Sequence, residues 1–164
     1  MIPKNLLPEG MHYFIAGGWA VCPALATDRD LFVQTTGDLT DTRAMLLDHM
    51  RAQGFDLVEE GDENGIPTLD LTTTDYIMVE VMKVAKVSQK FAQDIHVLLT
   101  TGDVADVLNS FDLSVCQIAI TETGKIVRGD YYTHPYKPIY VVKDTPMTPA
   151  RLAKYKERFA RVDG

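Results

Sequence analysis

The stretch that most constrains this chain runs from Tyr13 to Val33. An apolar lead-in, Tyr13 to Ala16, meets a glycine pair, Gly17-Gly18. A short amphipathic segment follows from Trp19 to Ala26, then Asp28 and Asp30, one residue apart, and the apolar run Leu31 to Val33. The pattern reads as strand, tight turn, short helix, strand, with Pro23 tolerable only in the first turn of that helix. Carboxylates at i and i+2 of a strand share a face, because side chains alternate with period two. Two same-face carboxylates near a glycine turn suit a Mg²⁺ ion held beside a nucleotide phosphate.

The rest of the chain builds a sheet around that stretch. Residues 1–11 form an arm punctuated by Pro3, Pro8 and Gly10. A helix is expected over Asp41 to Gln53, capped by Thr40 or Asp41, striped by Ala44, Leu47 and Met50, and stopped by Gly54. Strands are expected at Phe55–Glu59, Thr68–Thr72, Tyr76–Ala85 and Asp94–Thr100. Asp103 caps a helical turn, Val104–Asn109, before Leu113–Ile120, a strand buried on both faces. Glu122–Lys125 is a hairpin turn with Ile126–Tyr131 returning. His134–Pro138 is irregular, and Ile139–Val142 is a short strand. The tail, 145–164, becomes a basic amphipathic helix, Ala150–Arg161, with Thr148 as N-cap and Pro149 at its start. Strands outnumber helices, so the class is α+β: a mixed sheet with flanking helices in one domain spanning 1–164.

Composition narrows the function. The 164 residues carry 16 basic and 23 acidic side chains, a net charge of −7. That balance argues against broad, sequence-independent nucleic-acid binding, which needs a basic footprint. The terminal helix is the exception, with Arg151, Lys154, Lys156, Arg158 and Arg161 beside Tyr155 and Phe159. This patch suits a triphosphate or a nucleic-acid backbone. It equally suits a helix docked through Leu152, Tyr155 and Phe159 with its charges solvated. Cys22 and Cys116 sit in apolar settings and read as free buried thiols. No signal peptide and no apolar run near the ~20 residues of a membrane span is present, so a cytoplasmic location and no membrane partner are expected. There is no G-x-S-x-G turn, no Walker A motif, no dinucleotide fingerprint and no zinc spacing.

The run IAGGWAVCPALATDRDLF resembles the start of the polymerase-β-like nucleotidyltransferase superfamily. The resemblance implies that Gly17 and Gly18 contact a nucleoside triphosphate, and that Asp28 and Asp30 ligate two Mg²⁺ ions. Glycines let backbone N–H groups approach phosphate oxygens, and two metals stabilise both oxygens of an in-line phosphoryl transfer. The superfamily wants a third carboxylate on a neighbouring strand. Asp94 fits if its strand lies parallel to that of Asp30, and Glu80 and Asp112 are the alternatives. His96 would share the face of Asp94. LNSFDLSVCQIAI is similar to the Arg-Asp-Phe-Thr segment of the CCA-adding branch, whose aspartate helps bind the nucleotide sugar. Asp112 takes that place, with Phe111 where the branch has arginine, or else it fastens the helix-to-strand corner. The layout also resembles small nucleotidyltransferase-like proteins of phages and large DNA viruses, through GG…D-x-D-L-F, VLNSFDLSVCQ and an Arg-x-x-Lys-Tyr helix of Arg151, Lys154 and Tyr155. The implied activity is Mg²⁺-dependent transfer of a nucleoside monophosphate from an NTP to a hydroxyl of RNA, a small molecule or a protein, with Lys154 assisting nucleotide binding. The alternative is a catalytically degenerate fold serving as a nucleotide-binding or protein-interaction module, of the kind a virus uses against its host. A chain this short leaves little room for an acceptor-binding domain, so a homo-oligomer that completes the site is also expected.

Overall fold

In the computed structural model, residues 2–25, 29–55, 78–84 and 95–160 are described. Six strands form one sheet among them: β1 (Tyr13–Ala16), β2 (Arg29–Gln34), β3 (Met78–Val84), β4 (Ile95–Thr100), β5 (Ile118–Thr121) and β6 (Ile126–Arg128). Their order is β3-β4-β2-β1-β5-β6. β2 and β4 are parallel, and every other neighbouring pair is antiparallel. The sheet is therefore mixed. Four helices flank it: α1 (Gly18–Val21), α2 (Leu39–Ala52), α3 (Val104–Asn109) and α4 (Thr148–Ala160).

Period-two alternation divides the core into two layers. Odd-numbered strand residues Ile15, Leu31, Val33, Val97 and Leu99 pack with Trp19, Leu46, Met50 and Leu6 on one face. Even-numbered Phe14, Ala16, Phe32 and Leu98 pack on the other with Val107, Leu108, Phe111, Tyr155 and Phe159. The central strands are thus apolar at successive positions because both faces are covered. α2 and the N-terminal arm cover the first face, and α3 and α4 the second. Phe14 and Phe32 stack across β1 and β2 at 5.1 Å.

Several elements differ from the sequence-based expectation. α2 starts at Leu39, not Asp41, because Asp38 is the cap: its Oδ1 accepts the Asp41 N–H at 2.9 Å. Its buried stripe is Thr42, Leu46 and Met50, while Ala44 is exposed. Gly54 ends it at φ +84°, a left-handed conformation that glycine adopts without strain. The expected strand Leu113–Ile120 is buried but is not one strand. Ser114–Cys116 form a single 3₁₀ turn and β5 begins only at Ile118. Polar side chains within that run explain the break. Ser114 Oγ bonds Thr133 and the Tyr140 N–H, and Gln117 accepts from the Tyr131 N–H. These bonds gather the 129–142 loop onto the turn. The expected strand Ile139–Val142 is accordingly reduced to one bridge, Leu113 with Val141. The expected strand Thr68–Thr72, most of Phe55–Glu59, and residues Asp28 and Asp94 lie outside the described residues.

Candidate functional site

One end of the sheet collects the residues of interest. β1 finishes there at Ala16, β2 and β4 begin there side by side, and β5 begins there at Ile118. The parallel register sets Arg29 beside Ile95 and Asp30 beside His96. Asp30 falls on the face of Phe32, two residues on, which α3 and α4 cover. Its neighbour Arg29 is on the opposite face, with its guanidinium 5.9 Å from the centroid of Trp19. Glu80 lies in β3, at the sheet edge, paired with Leu99. Among the described residues no three His, Cys, Asp or Glu side chains converge as a metal site. Asp30 is the described member of the expected carboxylate set.

The glycine pair is two different positions. Gly17 caps α1 with φ +66° and ψ −143°, a conformation that only glycine adopts freely. Among the described residues nothing lies within 4 Å of where its Cβ would stand. Gly18 has no such space. A Cβ there would meet the Tyr155 hydroxyl at 2.7 Å, with Arg158 Nη1 at 3.8 Å. The absent side chain of Gly18 therefore admits α4 to the turn, and Gly17 keeps the open approach. Both glycines are partly exposed.

α4 is held in that position by a buried polar cluster. Asp112 Oδ2 accepts from the Thr148 hydroxyl at 2.9 Å, and Oδ1 accepts from Arg151 Nε at 3.2 Å. The backbone carbonyl of Asp112 takes the N–H groups of Val142 and Lys143. One residue thus gathers the 142–151 segment. Phe111, the residue before Asp112, is apolar, yet Asp112 does have an arginine partner, supplied from α4. Burial would lower the basicity of Arg151, but the nearby Cys116 and Asp112 outweigh it and hold the guanidinium above its usual range. Arg151 Nη2 also reaches Cys116 Sγ at 3.6 Å. Burial pushes the Cys116 thiol up, and burial next to Cys116 raises the Tyr155 phenol as well. Both stay protonated, so this cluster is not a source of nucleophiles.

The basic residues of α4 are sorted by helix position. Arg151, Tyr155 and Arg158 stand at i, i+4 and i+7, one face of the helix. Arg151 is committed to Asp112. Lys154 Nζ lies 5.4 Å from the Tyr155 ring centroid. Arg158 lies over the same ring at 5.4 Å and reaches Gly18. Docking through Tyr155 and Phe159, 1% and 7% exposed, is the observed packing. The i, i+4, i+7 spacing was the one available signal for the roles of Arg151 and Arg158. Nothing in the sequence paired Arg151 with a residue 39 positions earlier.

Neither a family model nor a curated protein matches the sequence. A solved structure does match in three dimensions: the CCA-adding enzyme of Thermotoga maritima in complex with tRNA, with a TM-score of 0.54 over 92% of this chain at 14% identity. The chain spans about a third of that protein, 34% of its length. At that identity the likeness is one of fold. The mixed sheet and its flanking helices are an α+β arrangement shared with a nucleotidyltransferase.

Proposed function

We propose that this protein is a Mg²⁺-dependent nucleotidyltransferase. It moves a nucleoside monophosphate from an NTP to a hydroxyl acceptor. The observation that carries the reading is the parallel pairing of β2 with β4 in the register Arg29 to Ile95. In the sequence, Asp28 and Asp94 immediately precede those two paired residues, and Asp30 follows at the head of β2. The glycine turn leaves β1 at the same end of the sheet, and Gly17 is open there. Asp28, Asp30 and Asp94 would hold the metal. A set of carboxylate oxygens fits a hard cation such as Mg²⁺. When bound, that ion neutralises phosphate charge as the bond to the leaving pyrophosphate weakens. The protein's own part is to hold the triphosphate against the Gly17 backbone and to orient the acceptor hydroxyl. RNA is the first acceptor to test, since the matching enzyme was solved with tRNA.

Labelled-NTP incorporation with Mg²⁺ tests the reading. Wild type is expected to label an acceptor, and Asp28→Ala and Asp30→Ala to lose at least about a hundredfold in rate, roughly the 2.7 kcal/mol of a lost transition-state contact. Equal incorporation by wild type and the double variant would sink it. A second reading is a degenerate fold that binds nucleotide without transferring it. The Tyr155 hydroxyl packed against Gly18 favours it, because α4 fills part of the glycine turn. Calorimetric NTP binding without turnover is the result that supports it.

A further inference from the structure

We infer that Arg158 of α4 is an anion-binding residue at the glycine turn, taking the phosphate groups of a nucleoside triphosphate. The inference rests on the nucleotide-binding reading and adds a ligand contact from outside the sheet. Three observations carry it. Arg158 Nη1 is buried and has no hydrogen-bond partner among the described residues. A guanidinium N–H left without an acceptor in a buried position is costly, and an anion removes that cost. The same atom stands 3.8 Å from the Cβ position of Gly18, beside the turn that Gly17 leaves open. Gly17, Gly18 and Arg158 are all partly exposed, so the turn borders solvent, and an anion that enters it meets Nη1 once the side chain turns outward.

The other cations of the helix have different tasks. Arg151 is bound to Asp112 and anchors the helix. Lys154 lies on the Tyr155 ring. Arg158 also lies on that ring, and the contact fixes where its planar fork sits. The Asp112–Arg151 clamp therefore acts as a positioning device: it seats α4 so that Arg158 meets the turn. Arginine suits the role because its fork bonds two phosphate oxygens at once.

Calorimetry on the full chain, with ATP and separately with inorganic tripolyphosphate, tests the assignment. Wild type is expected to bind both, and Arg158→Gln to weaken both about ten- to hundredfold. Arg158→Lys should recover part of the loss, since it keeps the charge over Tyr155. It also keeps the test readable if the glutamine variant unfolds in a parallel thermal melt. Lys156→Gln, at an exposed position of the same helix, should leave affinity unchanged. Equal weakening by Lys156→Gln and Arg158→Gln would reduce the effect to net charge and overturn the assignment. If wild type and Arg158→Gln bind ATP equally, the assignment falls while the nucleotide-binding reading stands. If tripolyphosphate binding depends on Arg158 but no NTP is turned over, the assignment stands and the transferase reading falls. Failure of wild type to bind either ligand overturns the assignment.

Discussion

Asp112 shows how one side chain fixes a distant segment. Its carboxylate is 8% exposed and accepts from both Thr148 and Arg151. Asp112→Ala is expected to cost about 2 kcal/mol in urea unfolding, below the roughly 3–5 of a fully buried pair because Arg151 keeps some solvent contact. Asp112→Asn should cost less, since its amide oxygen still accepts from Thr148. At the other side of the sheet, Glu122 accepts from His12 Nδ1 at 2.8 Å and from the Tyr13 N–H at 3.2 Å. Burial alone would push its pKa up, but those donors win and its carboxyl lies below the usual range. A lowered folded-state pKa stabilises the protein above the unfolded value and loses that contribution as pH falls through the folded value. The Glu122→Gln penalty should therefore be present at pH 7, at most about 1 kcal/mol for so exposed a pair. It should disappear as pH drops below the usual carboxylate range, read from melting temperatures across that window.

At the scale of elements, the contact between α4 and the glycine turn decides what each glycine is for. Gly17→Ala meets no neighbour among the described residues, so its cost there is backbone strain, about 1–3 kcal/mol. Gly18→Ala places a methyl 2.7 Å from the Tyr155 hydroxyl, and the helix must shift. Tyr155→Phe removes that oxygen. The double variant Gly18→Ala/Tyr155→Phe should therefore recover stability relative to the sum of the single changes, by about 1 kcal/mol in a double-mutant cycle. Additive single costs would show that Gly18 and Tyr155 do not meet. The turn after β6 follows the same logic. A Cβ on Gly129 would run into Gln117 and stand 3.0 Å from Asn109 Oδ1, so that glycine lets the loop pass close to both side chains.

Across the whole molecule, unequal burial within one layer predicts unequal cysteine chemistry. Cys116 is fully buried beneath α4, with its thiol pushed up by burial, whereas Cys22 is half-buried. A disulfide reagent should modify one thiol readily in the native protein and the second only on unfolding or release of α4. Rapid titration of both thiols would mean that α4 does not stay docked. No helix among the described residues is long and apolar enough to cross a membrane.

Much of this architecture was legible from local rules. Alternation at Ile15, Leu31 and Val33 against Phe14 and Phe32 marks strands covered on both faces. Glycine at a positive φ ends α2, and the terminal helix is readable from Tyr155 and Phe159, although Thr148 is its first residue rather than its N-cap. These signals act over two to seven residues, the reach of a pleat or a helical turn. The same short reach explains the failures. Leu113–Ile120 is apolar enough for one strand, but Ser114 and Gln117 bond to residues 14 to 26 positions away and bend it into a turn. The sequence alone determined the strand–glycine–strand unit and the α+β class, since both follow from neighbouring side chains. Only the tertiary structure decided that β2 and β4 run parallel, that Arg151 belongs to Asp112, and that Gly18 makes room for Tyr155 while Gly17 stays open. Those outcomes depend on which distant surfaces close on one another, and the free energy of that choice belongs to the packed whole rather than to any window of the chain.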